Sequence, residues 1–380
     1  MKTKKILALV LTVVMLLSSV SLISFAGDVT TVLTGSDFQH PDGNEAGQKT
    51  VDSIVAAIKN DGIEKADGFI FCGDYDHDLT LLPGPTGDGV KALTESVDKL
   101  VDPNGSHVFV QGNHDSAKET AGLSKSGNND PENGKYGVFV INEDDYMWLN
   151  FSSAVIRGTV NSLRNYLNEK IASDFTAPIF VVSHLPLHYT MRTKLFGDAK
   201  YARYILDILN EAGAKGLNII FLYGHDHASG WDDYLGGAAV CLEKGDTITI
   251  SKKGNQLKNE TETINFTYMN AGFTGYYDNH NGADDALTMS VFQIYDDRVV
   301  ISRYDANGKH NVSSAGVINS YKNEKTVTPN TDVKASPLTV ELTEITDKTP
   351  LSGSIDFFAQ FISLCLESFE QFMRLFVINK

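Results

Sequence analysis

The first 115 residues repeat one pattern three times: a short apolar run, then a loop carrying Asp, Asn or His. Val29 to Leu33 leads into Thr34-Gly35-Ser36-Asp37-Phe38-Gln39-His40. Gly68-Phe69-Ile70-Phe71-Cys72 leads into Gly73-Asp74, and His107-Val108-Phe109-Val110 into Gly112-Asn113-His114-Asp115. Runs of this length and composition predict strands. Between them, Val51, Ile54, Val55 and Ile58, then Val90, Leu93, Val97 and Leu100, recur at helical spacing. Such alternation predicts a parallel sheet flanked by helices, with ligands bound beyond the carboxyl ends of the strands.

The pattern returns twice. Pro178-Ile179-Phe180-Val181-Val182 ends in Ser183-His184, and Ile219 to Tyr223 ends in Gly224-His225-Asp226-His227. Helices through Leu163, Leu167 and Ile171, and through Tyr204, Leu206 and Leu209, precede these strands. Val138–Asn142 and Met147–Ser152 are expected to form a meander. Ser116 to Lys135 lacks periodicity and is expected to be a lid or a mobile loop. From Gly237 to Tyr304 short strand-like stretches alternate with turns, which predicts a second, mostly antiparallel sheet packed on the first.

The 380 residues are 42% hydrophobic and 21% charged, ordinary for a chain with a sizeable core. Lys2, Lys4 and Lys5 precede an apolar run from Ile6 to Ile23, and Ser24-Phe25-Ala26 supplies the small residues of a cleavage site. That is the layout of a secretory signal peptide, so the protein is expected to be secreted or held at the cell surface. The formal net charge of -16 becomes more negative once those lysines are removed. An acidic surface repels polyanions and argues against a nucleic-acid duplex as partner. Three Cys are too few for a disulfide scaffold.

The expected organisation is a signal peptide at 1–26, a globular domain at 27–310, a linker at 311–350 and a final helix at 351–380. Thr326 to Pro350 is rich in Thr, Pro, Lys and Asp, with a short strand expected at Leu338–Leu342. In the last helix Ile355, Phe358, Ile362, Cys365, Phe369, Phe372 and Phe376 share one stripe. Charges interrupt it too often for a transmembrane span. Its bulky apolar face suits contact with a membrane surface, with a partner helix or with its own domain.

Asp37 with Gln39, Asp74, Asn113 with His114, His184, and His225 with His227 therefore all fall just past expected strands. Singly, each reads as a turn, a cap or a satisfied polar residue. Jointly they are the donors a pair of transition metals takes: carboxylates to neutralise and bridge, imidazoles, and neutral amide oxygens. From Asp37 to His227 the order of motifs resembles the calcineurin-like metallophosphoesterase family, whose pattern is D-x-H, G-D, G-N-H-[DE], H and G-H-x-H. The resemblance implies an α/β/β/α sandwich of two packed mixed sheets flanked by helices, and two transition-metal ions (Fe, Mn or Zn). It implies Asp37, Gln39 and His227 on the first metal, Asn113, His184 and His225 on the second, and Asp74 bridging both. His114 would sit beside the substrate phosphate. The implied reaction is hydrolysis of a phosphate mono- or diester by a metal-bound hydroxide, with His114 stabilising charge or protonating the leaving alkoxide. Two other readings use the same residues: a metal-dependent pyrophosphate or nucleotide hydrolase, and a non-catalytic surface binding module on a phosphatase scaffold.

The chain departs from the family pattern at Gln39, which stands where His is usual, with His40 beside it. If Phe38 continues the strand, Asp37 and Gln39 point one way and His40 the other. Gln39 is then the expected ligand, through its amide oxygen, and the first metal the looser of the two. Three places after Asp74, where some members carry an Asp that orients the catalytic His, this chain has His77 between Asp76 and Asp78. Arg192, Lys194, Lys200 and Arg203 either steer phosphate or form a solvated helix face. Trp231, Tyr276 and Tyr277 either stack on a base or sugar or lie buried.

Overall fold

The computed structural model describes residues 29–39, 46–75, 88–115, 122–142, 153–188, 199–225, 241–252, 255–275, 288–305 and 338–351. The first sheet is built from β1 (Thr30–Gly35), β2 (Ala66–Phe71) and β3 (Val101–Phe109), paired in parallel. Helices α1 (Ala46–Asn60) and α2 (Asp88–Val97) connect them. In α1 the i, i+3, i+4 set Val51, Ile54, Val55 and Ile58 is buried, and Lys59 in the last turn complements the helix dipole.

A second sheet is parallel through β5 (Gly137–Ile141), β6 (Ile179–Ser183), β7 (Ile219–Tyr223) and β11 (Thr267–Asn270). Its helices are α3 (Ser153–Ala172) and α4 (Ala199–Ala214), and β4 (Gly127–Asn128) and β8 (Cys241–Leu242) are antiparallel edges. β9 (Thr247–Lys252) and β10 (Asn255–Thr263) form a separate hairpin. β12 (Gly272–Phe273), β13 (Thr288–Ile294), β14 (Arg298–Asp305) and β15 (Leu338–Glu341) join the first sheet instead. There β13 lies antiparallel beside β1, with Thr34 opposite Ser290.

Both sheets are thus mixed, and the mostly antiparallel second sheet is corrected. The strands after Gly237 divide, β11 extending the second sheet and β13 to β15 covering the open edge of β1. The two sheets face each other across Val32, Ile70, Val108, Val138, Phe180, Leu222, Met269 and Phe292. Phe180 and Phe292 meet edge to face at 5.2 Å and 89°, a geometry contributing about 0.5–1.5 kcal/mol beyond area burial. Outer cores of α1 and α2 on the first sheet, and of α3 and α4 on the second, complete an α/β/β/α sandwich.

Two further expectations change. Residues 122–135 are not a lid: β4 pairs with β5, and Ser124 N donates to Phe109 O at 2.9 Å. Asp130 accepts from Tyr166 Oη (2.6 Å), Val138 N (2.7 Å) and Lys170 Nζ (2.6 Å), pinning this stretch to α3. Residues 338–350, read as the end of a linker, and Leu351, read as the start of the final helix, are a strap on the folded body. Beyond β15, Thr343 and Asn218 exchange hydrogen bonds of 2.8 and 2.9 Å, and Thr346 N donates to Lys215 O at 2.8 Å. Gly216, at φ 105°, lets the strap in, since a Cβ there would lie 2.3 Å from Glu344 O. The strap ends on Leu351, 3% exposed, whose N donates to Asn168 Oδ1 at 2.6 Å. The expected signal peptide, the strand expected at Met147–Ser152, residues 311–337 and the helix expected after Leu351 lie outside the described residues. Among the described residues no helix is long and apolar enough to cross a membrane.

Candidate metal centre

The loops after β1, β2 and β3 come from one sheet and those after β6 and β7 from the other, and they meet at the same end of the sandwich. Backbone bonds sew them together. Asp37 N donates to Gly73 O and Gln39 N to Asp74 O, both at 2.9 Å, while Gly224 N donates to His184 O at 3.0 Å. Ser36 Oγ donates to Gly272 O, and Thr274 N returns a bond of 3.1 Å to Ser36 O. Among the described residues, five non-glycine residues have left-handed φ, and four lie here: Asp37 (53°), Gln39 (43°), Asp74 (60°) and His225 (69°). Each costs on the order of 1 kcal/mol, so the surrounding bonds hold the chain in turns it would not otherwise keep.

This geometry overturns the premise about Gln39. β1 ends at Gly35, and Asp37 and Gln39 sit in left-handed turns rather than on a pleat, so strand alternation does not set their directions. Phe38 packs into the core beneath the first sheet, and Gln39 is 2% exposed. His40 lies outside the described residues, as do His227, Asp76, His77 and Asp78.

At the centre, Asp37, Asp74 and His184 present ligand atoms within 4.8 Å of one another. His184 Nδ1 donates to Cys72 O at 2.7 Å, which leaves the Nε2 lone pair facing inward. That Nε2 lies 2.9 Å from Asn113 Oδ1, 3.2 Å from His225 Nδ1 and 3.3 Å from Asp74 Oδ2. Asn113 Oδ1 is in turn 2.8 Å from His225 Nδ1. Two imidazole nitrogens, an amide oxygen and a carboxylate oxygen, all able to offer an electron pair, therefore crowd together. Ligands about 2.1 Å from a shared cation stand about 3.0–3.4 Å apart, so these residues fit a metal ion. Of the eight candidates, Asp37, Asp74, Asn113, His114, His184 and His225 are brought into one constellation, and Gln39 is buried in the loop beside it.

Burial works against the charge on Asp74, but attraction to His184 and His114 when their rings are protonated, and their hydrogen bonds, hold its carboxyl well below the usual range. Asp115, the last residue of Gly112-Asn113-His114-Asp115, had no role assigned from sequence. It is 7% exposed and accepts from Gly112 N (2.8 Å), Asp74 N (2.9 Å) and Tyr75 N (2.9 Å). Burial, then the Asp74 charge, push it up to about 7 against those donated bonds. Cys72 carries no sequence signal either, because its backbone carbonyl serves the site. Burial and the Asp37 charge push its thiol well up. Gly112 is a glycine because a Cβ there would lie 2.2 Å from Asp74 Oδ1.

Asp37, Asp74, His184 and His225 are buried, whereas Asn113 is exposed and His114 partly so, so the centre opens to solvent on that side. His114 N donates to Asp74 Oδ1 at 2.9 Å, and its Nε2 lies 3.8 Å from Asp74 Oδ2. Arg203 is not a phosphate-steering group. Its guanidinium binds Asp207 (2.9 Å), Glu260 (2.6 Å) and Glu262 (2.8 Å), tying α4 to the β9–β10 hairpin. Arg192, Lys194, Trp231, Tyr276, Tyr277 and the Lys200 side chain lie outside the described residues.

The sequence model of the calcineurin-like phosphoesterases matches residues 25–229, which includes every one of these loops. The chain belongs to the calcineurin-like phosphoesterase family. Members of this phosphoesterase family bind two metal ions, and the Asp37, Asp74 and His184 cluster stands where such a pair would be held. No curated protein sequence matches the chain. Among solved structures, GAP50, the anchor in the inner membrane complex of Plasmodium, is similar at 11% identity and a TM-score of 0.45, over 88% of this chain and 95% of its own. A conserved uncharacterized protein of Streptococcus pneumoniae shares 12% identity at a TM-score of 0.30, over 74% of this chain and 92% of its own. Vacuolar protein sorting 29 of Cryptosporidium parvum shares 11% at 0.29, over 73% and 91%.

Proposed function

We propose that this chain is an exported two-metal phosphoesterase that hydrolyses phosphate mono- or diesters. The observation that carries the reading is the convergence of Asp74 Oδ2, Asn113 Oδ1, His184 Nε2 and His225 Nδ1 at 2.8–3.3 Å, a set of electron-pair donors that a cation would reconcile. Asn113, His184 and His225 would hold one metal, Asp37, Gln39 and His227 the other, with Asp74 between them. When bound, the metal pair supplies Lewis acidity toward the phosphoryl oxygens and a water ionised near neutral pH.

The remaining work falls to the chain itself. Two buried carboxylates, Asp37 and Asp74, repel a phosphate ester until their charge is offset, which makes substrate binding depend on metal. The Cys72 carbonyl keeps the proton of His184 on Nδ1, so that Nε2 remains a ligand. His114, partly exposed at the mouth, would give a proton from its ring to the departing alkoxide. Export rests on the basic start and the apolar run before Ala26. The test is metal content of the purified full-length protein together with turnover of p-nitrophenyl phosphate and its bis ester after loading with iron, manganese or zinc. Absence of both metal and turnover would leave a binding module.

A further inference from the structure

We infer that Asp115 is a positioning residue for the carboxylate of Asp74, an inference that rests on the metal-centre reading above. Its two oxygens collect three backbone N–H groups from two loops: Oδ2 takes Asp74 N and Gly112 N, and Oδ1 takes Tyr75 N. The two consecutive amides of Asp74 and Tyr75 can face one acceptor because Gly73 and Asp74 are both left-handed, at φ 88° and 60°. Backbone turned this way forms a concave anion site. Here a side chain of the neighbouring loop occupies it.

The circuit then closes on Asp74. The turn that Asp115 anchors presents His114 N to Asp74 Oδ1 at 2.9 Å, leaving Oδ2 toward His184 Nε2 at 3.3 Å. Asp115 thus sets the backbone of Asp74 directly and its side-chain rotation through the 112–114 turn. Asn in its place would keep one acceptor and aim an N–H₂ at a donated N–H. Metal ligands whose hydrogen-bonded supports are removed lose on the order of 10–100-fold in metal affinity, and that is the expected loss here.

The experiment uses the full-length protein and Mn²⁺, titrated by calorimetry at 25 °C, with the visible spectrum of the Co²⁺ form as a second readout. Asp115→Asn is expected to keep the circular dichroism of the wild type, bind Mn²⁺ 10–100-fold more weakly and shift the Co²⁺ bands. Asp115→Glu keeps the charge but moves the oxygens, and is expected to weaken Mn²⁺ as well. Asp130→Asn breaks a comparably satisfied carboxylate far from the centre, and should lower Tm while leaving Mn²⁺ affinity unchanged. The inference is overturned if Asp115→Asn binds Mn²⁺ like the wild type, if Asp130→Asn moves the affinity equally, or if both Asp115 variants are unfolded at 25 °C. A wild type that binds no Mn²⁺ overturns the metal-centre reading itself, and this inference with it.

Discussion

Gly112→Ala is the sharpest test of how closely the loops of this centre are pressed together. A Cβ built on Gly112 would stand 2.2 Å from Asp74 Oδ1, 2.5 Å from Asp74 N and 3.0 Å from Asp74 Cγ. Ordinary non-bonded contact begins near 3.5 Å, so the two loops must part by about 1 Å. Overpacking of that kind costs about 1–3 kcal/mol. The larger effect is on chemistry, because Asp74 would lose its 2.9 Å bond from His114 N and move relative to His184. A misplacement of about 1 Å at a reacting centre costs on the order of 100-fold in rate. Gly62→Ala is the matched control: φ is 89°, so the backbone is strained, but nothing lies within 4 Å of the new methyl. It should cost about 1 kcal/mol and leave activity alone. Both variants would be compared with wild type for Tm, bound metal and kcat/KM on p-nitrophenyl phosphate. If Gly112→Ala lowers Tm no more than Gly62→Ala and keeps its metals and rate, the argument from loop contact is wrong.

Other perturbations separate the roles assigned to neighbouring side chains. His114→Ala should retain both metals yet lose about 10²–10⁴-fold in turnover, and metal loss cured by added metal would refute an acid–base role. Gln39→His should make the first metal harder to remove with a chelator, since imidazole suits these metals better than an amide oxygen, and unchanged chelation kinetics would place the ligand elsewhere. Deleting 352–380 should leave a folded, active enzyme, whereas deleting 338–380 should cut Tm by stripping β15 and the buried Leu351, itself worth about 1.5–3 kcal/mol. Arg203→Ala should lower Tm slightly without changing KM, because its guanidinium is held by three carboxylates. A raised KM would restore it to substrate steering.

The centre was legible because its parts are short and local. An apolar run followed by Gly-Asp or Gly-Asn-His-Asp announces a strand end, and tightly packed loops demand the glycines that make the motif visible. Strand pairing was not legible, since β13 reads as a strand whether it lies beside β1 or in a sheet of its own. That choice is made by long-range contacts such as Thr34 against Ser290. The left-handed turns at Asp37 and Gln39 also left no trace, because a side chain that tolerates φ near 50° looks like any other. Asp115 stands out in the motif but its task does not, as its three bonds run to backbone. Residues 343–350 read as linker because single side chains such as Asn218 and Lys215, rather than a periodic apolar face, hold them.

The strap also gives the molecule a direction. Asn218 and Lys215, which hold it, stand at the entrance to β7, and Asn168, which holds Leu351, lies in the last turns of α3 before β6. His184 and His225 stand at the exits of β6 and β7, about 17 Å further along the strands. The described chain therefore reaches Leu351 at the pole opposite the metal centre. A truncation or label placed at Leu351 would therefore act on the rear of the sandwich and leave the metal centre untouched.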